Sequence, residues 1–151
     1  MNTPKPDKRK ARAAARLAAV QALYQFEMEA MPLARLLDEF HQHRLGMEID
    51  DDQYAAAETA FFDDVVSGAL ARLGEIDTLL SAKLAEGWKI ERLDKTMLQI
   101  LRAGAYELIA RADVPTGTAI SEYVDVAHAF FDAREAKFVN GVLDAVAKSV
   151  C

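Results

Sequence analysis

Helical spacing of apolar residues runs along nearly the whole chain and constrains its fold more than any other feature. No segment alternates apolar and polar residues in the way a half-buried strand would, so the sequence predicts no sheet. Residues that break helices, such as Pro32, Gly74, Gly87 and Pro115, divide the pattern into segments with short connections. We therefore predict an all-α fold with about seven helices in two packed helical subdomains.

Length and composition indicate one folded domain. The chain has 151 residues, 52% of them apolar, which suits a single domain (1–151) with subdomains at about 7–85 and 86–149. No apolar run approaches the roughly eighteen residues that a membrane span needs. The one cysteine, Cys151, excludes an internal disulfide framework and favours a reducing, cytoplasmic setting.

Charge is distributed unevenly along the chain. Residues 1–16 contain six basic residues and one acidic residue, a net charge of +5, whereas the whole chain carries −6. The remaining residues therefore carry −11. Such a difference in sign suggests a basic segment with an external anionic partner. A targeting signal and a merely solvated helix face are alternatives, and a nucleic-acid contact is favoured over both.

The basic segment, "KRKARAAAR", leads directly into an apolar stretch. Arg9, Arg12 and Arg16 have the spacing i, i+3, i+7, which predicts one basic side of a helix that begins near residues 6–7. An apolar stripe on the same helix is expected from Leu17, Val20, Tyr24 and Met28. The helix is thus predicted to bury its large apolar residues and to expose its arginines.

Catalytic and metal-binding patterns are weak or absent. "DEFH" at 38–41 resembles half of a carboxylate–histidine metal pair, but the chain has no second copy, and His41 and His43 point to different sides of a helix. The sequence has no nucleophile elbow, dinucleotide-binding turn or Walker A loop. Glu107 is expected to form a surface pair with Arg111. No catalytic residue, metal or cofactor is predicted.

Several aromatic residues and one glycine are further candidates for a structural or ligand-binding role. Trp88 is predicted to be a core anchor at the subdomain junction. Phe130, Phe131 and Phe138 surround "DAREAK", and one that is exposed beside Arg134 and Lys137 would suit stacking on an unpaired base. Gly141 lies inside a helical pattern, where glycine costs about 1 kcal/mol relative to alanine, which suggests close packing or a ligand contact.

Four phrases, in this order, resemble the NusB family of transcription antitermination factors: "RAAARLAAVQALYQFEM", "WKIERLDKTMLQILRAGAYEL", "DVPTGTAISEYVDVAHAFF" and "KFVNGVLDAVAK". The resemblance covers nearly the whole chain. It implies an all-helical RNA-binding protein without catalysis. It also implies a ribosomal small-subunit protein, acting as NusE, as a partner. The pair would bind boxA RNA of nascent, chiefly ribosomal RNA, transcripts and join other Nus factors on RNA polymerase.

The resemblance also assigns residues to these functions. Family arginines match Arg12 and Arg16, whereas Ala13 and Ala14 stand where some relatives carry further arginines. The expected RNA-binding set is Lys8, Arg9, Lys10, Arg12, Arg16, Arg134, Lys137 and Phe138. The expected contacts to the partner protein lie in the region 93–101, at Leu93, Asp94, Met97 and Leu101.

Two other functions remain open from sequence alone. NusB-like domains also form the N-terminal part of certain RNA cytosine methyltransferases, although the terminal cysteine of this chain does not suit their catalysis. A helical module that binds an acidic protein face is the second alternative. A homodimer that covers the basic stripe is a further possibility within the family.

Overall fold

The computed structural model describes residues 8–45 and 52–150 of the chain, and side chains at 9–45 and 58–150. Within these residues it has seven α-helices, one short 3-10 helix and no strand, which confirms the predicted fold class. The helices are α1 (Lys8–Glu29), α2 (Leu33–His43), α3 (Asp52–Ala71), α4 (Leu73–Lys83), α5 (Lys95–Ala110), α6 (Thr116–Phe130) and α7 (Ala133–Val150), with the 3-10 helix at Ile90–Arg92.

Two compact units make up the chain, 1–67 and 68–151. The division falls inside α3, whereas the sequence placed it near residue 85. The reason is the position of α4, which packs against α5 and α7 and so belongs to the second unit. No described helix is both long enough and apolar enough to cross a membrane.

The first unit is built from α1, α2 and the greater part of α3. Small residues line the buried face of α1, namely Ala11, Ala15, Ala18, Ala19 and Ala22. Because alanine projects little beyond the backbone, this face can approach its neighbours closely. Phe40 of α2 stacks on Phe62 of α3 with ring centroids 5.4 Å apart, and both rings are fully buried.

The second unit has α5 at its centre. Residues 97–107 of this helix are all buried, because α4, α6 and α7 pack against it. Asp94 caps the helix, accepting hydrogen bonds from the backbone N–H groups of Thr96 (2.8 Å) and Met97 (3.1 Å), as its position before the helix predicts. Gly104 is needed here, since a Cβ atom at that position would lie 2.8 Å from a methyl carbon of Leu143.

Two polar pairs lie inside the second unit. Glu107 is 1% exposed and accepts a hydrogen bond from the hydroxyl of the buried Tyr123. The prediction that Glu107 belongs to the surface is therefore wrong, because α5 is surrounded on every side. Arg102 holds Asp77 of α4 through two hydrogen bonds of 2.9 and 2.8 Å, which ties α4 to α5.

Candidate nucleic-acid interface

The first turn of α1 is basic and open to solvent. It begins with Lys8, Arg9 and Lys10, and the side chains of Arg9 and Lys10 are exposed. The side chain of Lys8 lies outside the described ones. No acidic residue stands in this turn, although acidic residues are the ones that stabilise a helix start. The backbone N–H groups and the cations therefore place positive charge at the same point.

The next two arginines of α1 turn towards α3. The guanidinium carbon of Arg12 lies 4.7 Å from the centroid of the Phe61 ring, and that of Arg16 lies 5.0 Å from it. Both distances are within the range of a cation–π interaction. Arg12 is partly exposed, whereas Arg16 is only 2% exposed. The two residues thus share one aromatic ring but differ in their access to solvent.

The predicted basic and apolar stripes of α1 are corrected by these positions. Arg16 does not lie on an exposed basic side, because it points inwards with the alanine face. Two large residues of the predicted apolar stripe are on the outside instead: Tyr24 is 40% exposed and Met28 is 53% exposed. Val20 of that stripe is fully buried as predicted and Leu17 is half-buried, so the buried face of α1 combines the alanines with Val20 and Leu23.

Glu58 is a residue that the sequence analysis missed. It lies on α3 one turn before Phe61 and is 3% exposed. Because residues three apart share a helix face, its carboxylate lies on the side of α3 that carries the Phe61 ring. A signal was available, since Glu58, Phe61, Phe62 and Val65 keep the spacing i, i+3, i+4, i+7. A buried carboxylate needs compensation by hydrogen bonds or an opposite charge.

A second basic surface lies at the start of α7, in the second unit. The Arg134 side chain is 94% exposed, with its Nε 3.9 Å from a carboxylate oxygen of Glu135. Lys137 is exposed and Phe138 is half-buried. Ala136 and Val139 turn into the core, so the helix leaves Arg134, Phe138 and Gly141 on one outward side. The structure thus brings the three predicted α7 residues together.

Trp88 lies beside this surface and not in the core. Its side chain is 57% exposed, and its ring centroid is 6.5 Å from that of Phe138 at an angle of 41°. The prediction of a buried anchor is wrong, because the preceding turn directs the residue outwards. In that turn Gly87 has a φ of +88°, and the N–H of Trp88 donates to the carbonyl of Ala85 at 3.0 Å.

The other aromatic candidates are separate from Trp88. Phe130 is 41% exposed and Phe131 is half-buried, and their ring centroids are 6.4 Å apart. Phe130 ends α6, and the chain turns at Phe131 before α7 begins. They therefore form a second aromatic pair with at least one accessible ring.

The predicted partner contacts at 93–101 are placed in the core, with one exception. Leu93 is 7% exposed, Met97 is 5% exposed and Leu101 is fully buried. Asp94 is exposed, but its carboxylate is engaged in capping α5. The Leu101 side chain thus reaches no surface of this chain, and contact of the region with a partner stays a prediction. The family resemblance assigned these residues to the partner, whereas their apolar spacing is the spacing of the core.

Metal-binding geometry is not found among the described residues. They contain no group of three or more histidine, cysteine, aspartate or glutamate side chains that could hold a metal ion. His41 instead meets Asp63 of α3, with its Nε2 2.5 Å from the carboxylate oxygen. The histidine of the "DEFH" phrase thus links α2 to α3.

The fold and these surfaces place the chain among all-helical proteins that have an exposed basic helix start and an accessible surface of aromatic and basic residues. Comparison with known sequences identifies the family within this class. A model of the NusB family matches residues 13–148. The chain belongs to the NusB family, as its resemblance implied.

Similar proteins share both sequence and fold. The transcription antitermination protein NusB of Novosphingobium aromaticivorans is 75% identical over 141 residues, which cover 93% of this chain and 95% of that protein. Its counterpart in Sphingopyxis alaskensis is 66% identical over 139 residues, covering 92% and 93% respectively.

Solved structures of NusB proteins are also similar to this chain. NusB of T. maritima superposes with a TM-score of 0.75 at 32% identity, covering 98% of this chain and 93% of that chain. A chain from the crystal structure of the antitermination factors NusB and NusE in complex with double-stranded RNA superposes with a TM-score of 0.78 at 26% identity. That match covers 93% of this chain and 98% of the other.

Proposed function

We propose that this protein is a transcription antitermination factor that binds boxA RNA of nascent transcripts together with the ribosomal protein acting as NusE. In this role it joins other Nus factors on RNA polymerase, chiefly on ribosomal RNA transcripts. Membership of the NusB family and the names of its relatives support the proposal. The related NusB–NusE–RNA complex supports the choice of RNA and of NusE as partners.

One observation of this chain carries the proposal furthest, the basic first turn of α1. Cations at a helix start oppose the helix macrodipole and cost roughly 0.3–1 kcal/mol each. Lys8, Arg9 and Lys10 follow one another there without an acidic neighbour in the turn. An arrangement that works against the stability of its own helix is typical of a functional site. Phosphate groups would relieve the repulsion and gain hydrogen bonds.

The arginines that follow act differently from one another. Arg12 is partly exposed and held against Phe61, so a phosphate can approach its guanidinium at a fixed position. Arg16 is buried against the same ring and orients the start of α1 from beneath. We therefore assign phosphate contacts to Lys8, Arg9, Lys10 and Arg12, and a positioning role to Arg16.

The α7 surface would supply further RNA contacts in the second unit. Arg134 and Lys137 are exposed and would hold phosphates, and Phe138 would meet a base. Phosphate contacts provide affinity that weakens with salt, whereas base contacts provide sequence preference. The proposed activity is binding and not catalysis, and it would take place in the cytoplasm.

Titration of a labelled boxA RNA tests the proposal. Fluorescence anisotropy should show binding that is tighter with the ribosomal partner present and weaker for an RNA of the same length with a scrambled boxA. Because phosphates dominate affinity, binding should decrease steeply as salt increases. Equal affinity for the boxA and scrambled RNAs, with and without the partner, would contradict the proposed function.

Gly141 gives a first prediction about the α7 surface. The residue is exposed inside α7, and a Cβ atom there would meet no described atom within 4 Å, so packing does not require glycine. Gly141→Ala should therefore stabilise the fold by up to about 1 kcal/mol, because alanine favours the helix. If RNA approaches this backbone, the same change should weaken RNA binding severalfold.

Gly117→Ala is the matched control. Gly117 is also exposed, lies in α6 and has nothing within 4 Å of its virtual Cβ atom. This variant should gain less stability in a thermal melt, because Gly117 lies in the first turn of α6, and it should bind RNA as the unchanged protein does. If Gly141→Ala also leaves RNA affinity unchanged, the RNA does not approach α7 at that point.

A further inference from the structure

Trp88 and Phe138 form an accessible aromatic surface whose larger member has no assigned role. Trp88 is 57% exposed, and burial in a core would stabilise such a side chain far more than exposure does. Its position follows from the local backbone: the turn at 85–88 needs the positive φ of Gly87, and the 3-10 helix at Ile90–Arg92 follows it. The indole is therefore presented by a defined turn.

Two exposed cations of α7 lie on the side of the helix that carries Phe138. Arg134 lies one turn before Phe138 on the same outward side of α7, and Lys137 is exposed next to it. Glu135 lies near Arg134 and the exposed Asp132 precedes α7, so the charges at 132–137 cancel in sum, but Arg134 is more exposed than Glu135. The segment of Trp88 adds Glu86, Lys89, Glu91 and Arg92, all exposed, and is neutral in sum.

We infer that Trp88, together with Phe138, is a stacking platform for an unpaired base of single-stranded RNA. The inference rests on the proposed function and extends it by a residue and a mode of recognition. Every base has a π-face, so a tilted pair of accessible rings can hold a base without reading its hydrogen-bonding edge. The cations of α7 would hold the adjoining phosphates. The platform fixes where an unpaired base stacks, and other contacts select which base it is.

The open side of α7 fits this arrangement. Gly141 lies one turn after Phe138, and no described atom lies within 4 Å of its virtual Cβ atom. A base stacked on the rings would therefore meet no side chain at Gly141. A protein partner could also cover exposed aromatic rings, but the adjoining Arg134 and Lys137 favour an anionic ligand.

Trp88 is the only tryptophan in the chain, so intrinsic tryptophan fluorescence reports on this residue alone. Labelled single-stranded boxA RNA should quench Trp88 emission with the same midpoint that RNA anisotropy gives. Trp88→Ala should weaken RNA binding roughly tenfold, within the range that base–aromatic stacking contributes, and leave the salt dependence unchanged. Trp88→Phe should retain most of the affinity, because it keeps an aromatic face.

Phe130→Ala is the control, since Phe130 is also an exposed aromatic residue but pairs with Phe131. It should bind RNA as the unchanged protein does. Circular dichroism melts of every variant establish that the fold is kept, and the emission titration needs no variant at all.

The outcomes separate the platform from the proposed function. RNA that binds by anisotropy without changing Trp88 emission, and equally well to Trp88→Ala, would overturn the platform and leave the proposed function standing. Quenching by the ribosomal partner alone, and not by RNA, would assign the surface to protein and also overturn the platform. Failure of the RNA to bind under any condition would overturn the proposed function and the platform with it.

Discussion

Arg16→Ala is expected to destabilise the protein by about 2–4 kcal/mol, as a change that disrupts a buried charged group does. The Arg16 guanidinium is buried against Phe61, and the buried Glu58 lies one turn earlier on the same side of α3. Alanine would leave a cavity, remove the cation from the ring and leave the Glu58 carboxylate among fewer positive charges. In a chain of this length the melting temperature should fall by roughly 5–15 °C.

Arg9→Ala is the matched control, because Arg9 stands on the same helix with an exposed side chain. Its stability should stay within about 0.5 kcal/mol of the unchanged protein in urea unfolding. A double-mutant cycle of Arg16→Met and Glu58→Gln measures whether the two buried groups compensate each other, with a coupling above about 1 kcal/mol expected. Equal stability of the Arg16→Ala and Arg9→Ala variants would show that Arg16 has no structural role.

The positions of Arg9 and Arg16 show what periodicity predicts and what it does not. Their spacing of seven residues gives them nearly the same direction around α1, as the sequence indicated. Direction does not give depth, however: Arg9 is in the first turn with an exposed side chain, whereas Arg16 is buried two turns later. The first turn of a helix can extend beyond the neighbouring helices that pack against its middle. The sequence of the helix alone does not show at which residue this packing begins.

The buried face of α1 was missed for a related reason. Large apolar residues dominate any estimate of amphipathicity, so Tyr24 and Met28 appeared to mark the core. The helix buries Val20, as predicted, but beside it mostly alanines, which allow close approach to neighbouring helices and contribute weakly to the pattern. The all-α class followed from the helical periodicity of the apolar residues, and several helix ends followed from glycine and proline, although Gly74 lies inside α4 and not at a break.

Trp88 and Leu101 also show that the sequence does not predict how deeply an apolar residue is buried. The family resemblance gave a region for the partner contact but not the depth of each residue, so Leu101 was assigned to a partner although it is fully buried. Trp88 was assigned to the core although the turn at Gly87 exposes it. Only the packing of α4, α6 and α7 around α5 decides between the two environments. The α7 residues Arg134 and Lys137 were placed correctly on the surface.

Reversing two charges in the first turn of α1 is expected to weaken RNA binding about a hundredfold or more. Arg9→Glu with Lys10→Glu removes two proposed phosphate contacts and puts repulsive charges in their place. Both side chains are exposed, and acidic residues suit a helix start, so the fold should be as stable as before or slightly more stable. The logarithmic salt dependence of binding should also become shallower by about 0.7 for each lost contact to a single strand.

A second double variant separates this local effect from the effect of net charge. Arg35→Glu with Lys148→Glu also reverses two exposed cations, one on α2 and one near the end of α7, and changes the net charge of −6 by the same amount. Long-range repulsion alone would weaken RNA binding equally in both variants, and salt would screen it. We expect the control to lose only a few-fold in affinity at physiological salt. If the two double variants lose the same affinity, then the first turn of α1 is not the phosphate-binding site, and the general acidity of the chain accounts for both losses.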